Sequence, residues 1–489
     1  MTIASGPRCL GSLLGAAVLS ALAVVPRVAH ANPGSGLIGD QPGRVTDTCF
    51  WKVPLRPDTR NILALDTNVT YYYSSFHLPA GASVVFHGKF PHSRFMSLTS
   101  YLTTGGQAGL PATALTDIDI EPDPHATNPY RDGASRVAHR RSYTVTVRGD
   151  VDPGPGNRAP NTLYVGQAGQ TDTMQFVELV YRIYRPDRGY DLAGGVVTPK
   201  PRLVRVDGTT ASGQSLCNDI QVVSGTGAPI PAFGPPIGFT KAQYDAVLAL
   251  GPPTHPALEP TVWYRFFNQQ RLAEPFFKGT ILEGNIATLP TALTSGLYAT
   301  PANAYIYGYA SRLLGPDPAG HNLIVLHAKM PTHATTFDRV PVSDSGGKQV
   351  RYWSICNYGA LVQDVGVGPV LMDGCLYDEQ VPTDAGGFYT IVVSLPEDRP
   401  ANANAACGVA WLDWGKGDWL ARPDLADLII RNQLSDPSFA EGIDKVLVPE
   451  TEKQVLGDYY PTGRYMTRTD FEARGCPGTG SPSGAFIAG

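Results

Sequence analysis

The chain carries one pattern twice. From Thr70 to Tyr101 it reads TYYYSSFHLPAGASVVFHGKFPHSRFMSLTSY, and from Ala304 to Phe337 it reads AYIYGYASRLLGPDPAGHNLIVLHAKMPTHATTF. The matches keep one order. Tyr71-x-Tyr73 answers Tyr305-x-Tyr307, Pro79-Ala80-Gly81 answers Pro318-Ala319-Gly320, and His87-Gly-Lys-Phe-Pro91 answers His327-Ala-Lys-Met-Pro331. Further along, Arg94-Phe-Met-Ser97 answers Arg351-Tyr-Trp-Ser354. Tyr143-Thr-Val-Thr-Val147 then answers Tyr389-Thr-Ile-Val-Val393, and Leu179-Val-Tyr-Arg182 answers Leu428-Ile-Ile-Arg431. A collinear series of this kind means that one supersecondary unit is built twice.

Periodicity says which unit. Ser83 to Phe90, Phe95 to Tyr101, Tyr143 to Arg148 and Phe176 to Tyr184 read as strands, as do Leu323 to Met330, Tyr352 to Tyr358 and Phe388 to Leu395. Many glycines (53) and prolines (43), with only 17% charged residues, suit short strands joined by turns. The expected fold is mainly β: two tandem β-sandwich or jelly-roll-like repeats with a short helical connector. The repeats are expected over 32–206 and 295–476, the connector over 207–294, and a small, polar, disordered tail over 477–489. Lys241 to Leu250 reads as a helix capped by Thr240 and ended by Gly251-Pro252. Thr261 to Phe277 and Pro423 to Asn432 are weaker helix candidates. Thr332 to Gln349 reads as a lengthened hairpin tipped by Ser343-Asp-Ser-Gly-Gly347.

The first 31 residues read as a secretory signal: Arg8, then an apolar run from Leu10 to Val25, then Ala29-His30-Ala31 as a small-x-small cleavage site. That run is shorter than the ~20 residues a membrane span needs, and no later stretch is long and apolar enough to make one. Removing Met1 to Ala31 takes Arg8 and Arg27 from the 38 basic residues and none of the 43 acidic ones, leaving a balance of −7. A mildly acidic chain offers no footprint for nucleic acid or for anionic lipid. Cys49, Cys217, Cys356, Cys375, Cys407 and Cys476 remain, an even set that suggests disulfides and a secreted or periplasmic location. Six cysteines allow about 15 pairings, and the expected set is Cys49–Cys217, Cys356–Cys375 and Cys407–Cys476. None shows the paired spacing of a zinc site.

Three groups of residues are candidates for chemistry. The first is the repeated His-x-Lys strand. Alternation puts His87 and Lys89 on one face, and His327 and Lys329 likewise. These are the candidate catalytic side chains, with His92 and His333 as rim residues for a ligand; the bland alternative is a solvated strand face. The second is Asp117-Ile-Asp-Ile-Glu-Pro-Asp123. As a strand it would align Asp117, Asp119, Glu121 and Asp123, oxygen ligands that suit calcium. It lacks the loop spacing and glycine of an EF-hand, and a half-buried strand with a polar outer face is the preferred reading. No other cofactor is expected. The third is Trp411, Trp414 and Trp419, whose intervening glycines suggest an exposed aromatic loop able to stack on flat ligands. Arg94, Arg351, Arg182 and Arg431, repeated within strands, read as braces for carboxylates. No GxSxG elbow, HExxH, Walker loop or dinucleotide fingerprint is present.

Arg94-Phe-Met-Ser97, Asp117 to Pro129 and Tyr143-Thr-Val-Thr-Val147 resemble strings in exported bacterial proteins of unassigned function that pair two β-rich domains. The resemblance spans most of both repeats and implies architecture and an envelope or extracellular location. It brings no catalytic residues. The expected function is binding of a ligand such as a glycan or a cell-envelope component, on the surface where the two His-x-Lys strands face. The alternatives are a secreted hydrolase or lyase with a dispersed His and carboxylate, and a structural envelope protein.

Overall fold

The computed structural model describes residues 49–51, 54–56, 65–102, 111–167, 169, 174–222, 262–265, 300–311, 323–338, 347–358, 372–415 and 425–476. The leader, the helix over Lys241 to Leu250, most of Thr261 to Phe277, the hairpin tip before Gly347, Trp419 and the tail lie outside them.

The first half contains β1 (Pro54–Leu55), β2 (Val69–Pro79), β3 (Ser83–Lys89), β4 (Ser93–Tyr101), β5 (Pro111–Thr116), β6 (Ser142–Val151), β7 (Thr162–Gly166), β8 (Met174–Pro186), β9 (Lys200–Val204), β10 (Thr210–Ser212) and helix α1 (Gly213–Asp219). The second contains β11 (Tyr264–Arg265), β12 (Asn303–Ser311), β13 (Leu323–Lys329), β14 (Tyr352–Tyr358), β15 (Met372–Tyr377), β16 (Phe388–Ser394), β17 (Ala410–Asp413), β18 (Leu425–Gln433), helix α2 (Glu452–Leu456), β19 (Thr462–Met466) and helix α3 (Arg468–Glu472).

These strands form two sheets per half. In the first half the inner sheet runs β1-β2-β8-β4-β5 and the outer one β10-β9-β3-β6-β7. In the second the inner sheet runs β11-β12-β18-β14-β15 and the outer one β17-β16-β13-β19. The inner sheets have the same order. Register agrees with the sequence repeat: Tyr71 lies opposite Arg182 as Tyr305 lies opposite Arg431, and His87 opposite Thr144 as His327 opposite Thr390. Even the parallel edge pairs, β6 with β7 and β16 with β17, recur. Pro423 to Asn432 is not helical, because Leu425–Gln433 is the central strand of an inner sheet, where Leu428 and Ile430 must alternate into the core.

Each half has its own core. Tyr72, Phe76, Met96 and Tyr181 of the first inner sheet pack on Val84, Phe86, Val145 and Leu203 of its outer sheet. Ile306, Trp353, Ile355 and Ile430 pack likewise on Ile324, Leu326, Ile391 and Val393. The first core also holds Leu216, Cys217 and Ile220, so the first sandwich continues past residue 206 through β10 and α1. The other faces of the inner sheets meet: Tyr71, Phe95, Val180 and Tyr184 cluster with Tyr352 and Tyr377. The layers therefore run outer, inner, inner, outer. Inner strands are covered on both sides, and β4 and β14 are buried along their whole length.

The seam between the halves is polar and reciprocal. Arg94 of β4 reaches Asp378 across it, with Nη1 2.7 Å from both carboxylate oxygens. Its counterpart Arg351 reaches back to Asp117 at 2.8 Å. Each aspartate also accepts a backbone N–H from its own half, Asp378 from Trp353 and Asp117 from Met96. Beside these pairs, Asp66 accepts from Tyr352, Ser354 and Arg431 of the other half. Arg94, Arg351 and Arg431 brace carboxylates of the opposite repeat, whereas Arg182 donates to Tyr101 of its own half at 2.7 Å. Cys49 pairs with Cys217, Cys356 with Cys375 and Cys407 with Cys476. Among the described residues no helix is long and apolar enough to cross a membrane.

Candidate functional site

The repeated histidines lie on the outer sheets, at opposite sides of the four-layer stack. The two His-x-Lys strands therefore do not face one another. The reason is that β3 and β13 each turn their Phe86 or Leu326 side into their own core, which leaves His87 and His327 pointing outward.

Each histidine belongs to a fuller constellation. His87 Nδ1 lies 3.1 Å from Thr144 Oγ1, and Thr144 donates to Asp123 Oδ1 at 2.9 Å. The threonine has one proton, and it goes to the carboxylate. Its oxygen then accepts from His87 Nδ1–H, leaving Nε2 as the open acceptor. The second copy repeats the frame: His327 Nδ1 lies 3.4 Å from Thr390 Oγ1, and Asp384 acts on the same imidazole. Asp123 and Asp384 correspond, since each follows an antiparallel bridge to the tyrosine of the Tyr-Thr strand, Pro122 to Tyr143 and Thr383 to Tyr389.

The copies differ in what surrounds this frame. His87 and Lys89 are exposed, and Ser142 is the cross-strand neighbour of Lys89. In the second copy Phe388 takes that place. His327 stacks on its ring at 5.3 Å, and Lys329 Nζ lies 5.9 Å from Phe388 and 5.8 Å from Tyr459. Leu323, Val325, Val392 and Met466 are covered by Ala403, Cys407, Val409 and Phe471, a small second core on the outer face. His327 sits at its rim, half-buried, and burial pushes its imidazole below the ordinary 6.5.

The remaining candidates are dispersed. His92 stacks on Tyr190 and touches Arg141, while His333 lies 3.0 Å from the Ala334 carbonyl and 3.5 Å from Asp378 Oδ1. Neither joins the His-x-Lys face. The acidic segment is not a strand: β5 stops at Thr116, and Asp117–Asp119 is a 3-10 turn that ends the alternation. Asp117 is buried against Arg351, Asp119 accepts from Thr116, Glu121 pairs with Arg131 and Asp123 serves Thr144. Burial raises the Asp117 carboxyl despite its arginine. Among the described residues the metal-compatible cluster is Asp66, Cys356 and Cys375. There the cysteines are bonded to each other, and the Arg431 guanidinium, 2.9 Å from Cys356 Sγ and 3.2 Å from Asp66, takes the place of a cation. Trp414 is not exposed. It follows β17 into the second core, where its N–H donates to the Ser394 carbonyl and its own carbonyl accepts from Asn357. Trp411 is half-buried beneath Arg399.

Solved structures similar to the chain include two uncharacterized bacterial proteins. One is an uncharacterized protein from Burkholderia cenocepacia, with 12% identity, 84% of this chain and 80% of that one covered, and a TM-score of 0.42. The other is the VPA0106 protein from Vibrio parahaemolyticus, with 12% identity, 83% and 91% covered, and a TM-score of 0.36. No protein-family model and no curated protein matches.

Sequence reasoning missed Thr144, Thr390, Phe388 and Tyr459. The threonines were visible as the second residue of each Tyr-Thr match. The link of Asp123 and Asp384 to the histidines was hidden, because residues 124–141 separate Asp123 from its strand whereas 385–387 suffice for Asp384.

Proposed function

We propose that the mature chain is an exported binding protein and that the outer face of its second half takes a hydroxylated ligand, a glycan or a cell-envelope component. The observation that carries this reading is the divergence of a repeated frame. Both copies keep His, Thr, Asp and Lys, but only the second adds Phe388 and Tyr459 beside them. Half-buried rings supply an apolar platform, and His327, Lys329 and Asp384 supply directional polar groups, the mixture a small-ligand surface uses. Three disulfides favour an oxidising compartment and support export. The test is a glycan array and envelope pull-down with purified protein. His327→Ala and Phe388→Ala should each weaken binding by about tenfold or more, roughly 1.4 kcal/mol, while His87→Ala leaves it unchanged. Binding that survives intact in a His87→Ala, His327→Ala double mutant removes this assignment.

The hydrolase or lyase reading uses the first copy of the same frame. It is favoured there by the chain from His87 through Thr144 to Asp123, which leaves the imidazole Nε2 to accept a proton. Screening the array for released product separates it from binding alone.

A further inference from the structure

The first copy has its own addition. Residues 124–141 stand where the second copy has only 385–387. The two segments end alike: the Arg141 carbonyl accepts from Phe90 N–H at 2.9 Å, and the Gly387 carbonyl from Met330 N–H at 2.9 Å. An arginine thus replaces a glycine at the base of an inserted loop.

Arg141 is 5% exposed. Four arginines of this protein have a carboxylate: Arg94 has Asp378, Arg351 has Asp117, Arg431 has Asp66, and Arg136 has Asp187 at 2.5 Å; the buried Arg182 and Arg185 lie instead over tyrosine rings. Arg141 has none within 4 Å among the described residues. Its Nη1 lies against the ring nitrogens of His92, and its Nε has no hydrogen-bond partner. The ring nitrogen that accepts carries no proton, so His92 contributes no balancing charge. Burial accordingly pushes the guanidinium below its ordinary value, and the nearby acid, Asp187, is already engaged by Arg136. A buried, uncompensated cation is costly.

The walls of this place are built rather than loose. Tyr190 stacks flat on His92 at 4.1 Å and 4°. Asp191 Oδ1 accepts from Ala193 and Gly195 N–H, which fixes the turn beneath Tyr190, and a side chain at Gly195 would strike that ring. Tyr130 shares a hydrogen bond with Ser93 at 2.7 Å and donates to the Pro91 carbonyl. His92 and Tyr190 are partly exposed and Arg141 is buried against His92, so the guanidinium lies one layer below the surface.

We propose that Arg141 is the floor of a binding site for one oxyanion, the carboxylate or phosphate of a small ligand, reached past His92 and Tyr190. A planar guanidinium with an unused Nε suits the paired oxygens of such a group. The site lies in the first half and stands apart from the glycan reading of the second.

Thermal unfolding of the full mature protein tests it, in sodium phosphate, sodium sulfate or sodium acetate against sodium chloride at matched ionic strength. The melting temperature is expected to rise with the logarithm of one oxyanion's concentration beyond the chloride control. Preference for acetate identifies a carboxylate ligand, and preference for phosphate or sulfate a tetrahedral one. Arg141→Met should lose that response, yet melt in chloride at or above the wild-type temperature, because it removes an unpaired buried charge. Arg141→Lys, which keeps the charge without the fork, should need at least tenfold more anion. No oxyanion-specific rise in the wild type overturns the proposal. So does a response unchanged in Arg141→Met, or an Arg141→Met protein that is grossly destabilised in chloride, since either makes the guanidinium structural.

Discussion

Replacing Arg94 by methionine should be among the most damaging single changes in the seam. The guanidinium donates to both oxygens of Asp378, to Thr336 Oγ1 at 3.0 Å, and lies 3.0 Å from Glu379 Oε1. The Arg94 and Asp378 side chains are both 0% exposed. Methionine fills much of the volume, so the loss is mainly electrostatic. It strands Asp378, whereas Glu379 keeps Arg188 at 3.6 Å. Asp378 keeps the N–H groups of Trp353 and Glu379, and His333 lies 3.5 Å away. Those contacts soften the loss without cancelling it. Removing one partner from a buried pair costs about 3–5 kcal/mol, and this site belongs in that range. The magnitude has an internal check. Asp378→Asn, added to Arg94→Met, keeps an acceptor for Trp353 N–H but needs no counter-ion. It should recover roughly 2–3 kcal/mol, a coupling expected for residues in one network. Urea titration of the purified, disulfide-intact protein measures all four corners of the cycle, and it avoids the charge screening of guanidinium. A loss below about 1 kcal/mol is the value of an exposed pair. That result, or an Asp378→Asn that recovers nothing, would refute the claim that this pair is desolvated and shared across the halves.

Three further outcomes are expected. Arg351→Met should cost less than Arg94→Met, about 2–3 kcal/mol, because Arg351 keeps 12% side-chain exposure and serves one carboxylate; the same urea series measures it. Gly88→Ala, which merely installs the residue of the other copy, should destabilise by about 1–3 kcal/mol, because the new Cβ would lie 2.4 Å from Tyr143 Cζ; Ala328→Gly should cost only about 0.5–1 kcal/mol, and equal losses would contradict the packing difference. His327 should titrate below 6.5 by NMR. With a lowered folded value the unfolded chain takes the proton first, so the stability from the neutral imidazole is complete above about 6.5 and is lost as pH falls toward the folded value. His327→Gln should flatten that part of the stability profile.

The sandwich architecture was legible because inner and outer strands leave different signatures. Phe86-His-Gly-Lys89 and Leu326-His-Ala-Lys329 alternate, as strands with one wet face must. The seam was not legible. Ser97, Thr99 and Ser354 are polar, and no local pattern marks them as core, yet all are buried, because the inner sheets of the two halves cover one another. The same blindness misplaced Trp414. Its neighbouring glycines suggest a surface loop, but the parallel pairing of β17 with β16 carries it inward. Asp117 misled in the opposite sense. Its alternation with Asp119 imitates a strand, while its real partner is Arg351, which lies in the other repeat.

The differences between the copies are unevenly distributed. Arg94 and Arg351, Asp117 and Asp378, and the hydrogen bonds from Met96 and Trp353 form a reciprocal set, the geometry of two like units meeting about a twofold axis. A seam of this kind holds only if both copies keep their half, since losing either partner strands a buried charge. The outer faces carry no such mutual constraint. One copy carries residues 124–141 with Arg141, and there Tyr130 and Arg136 still meet Arg351 and Phe337 of the other half. The other carries Phe388, Tyr459 and the small core sealed by Cys407–Cys476 on its outer sheet. The two proposed sites therefore differ in chemistry because they stand where the two halves are not alike.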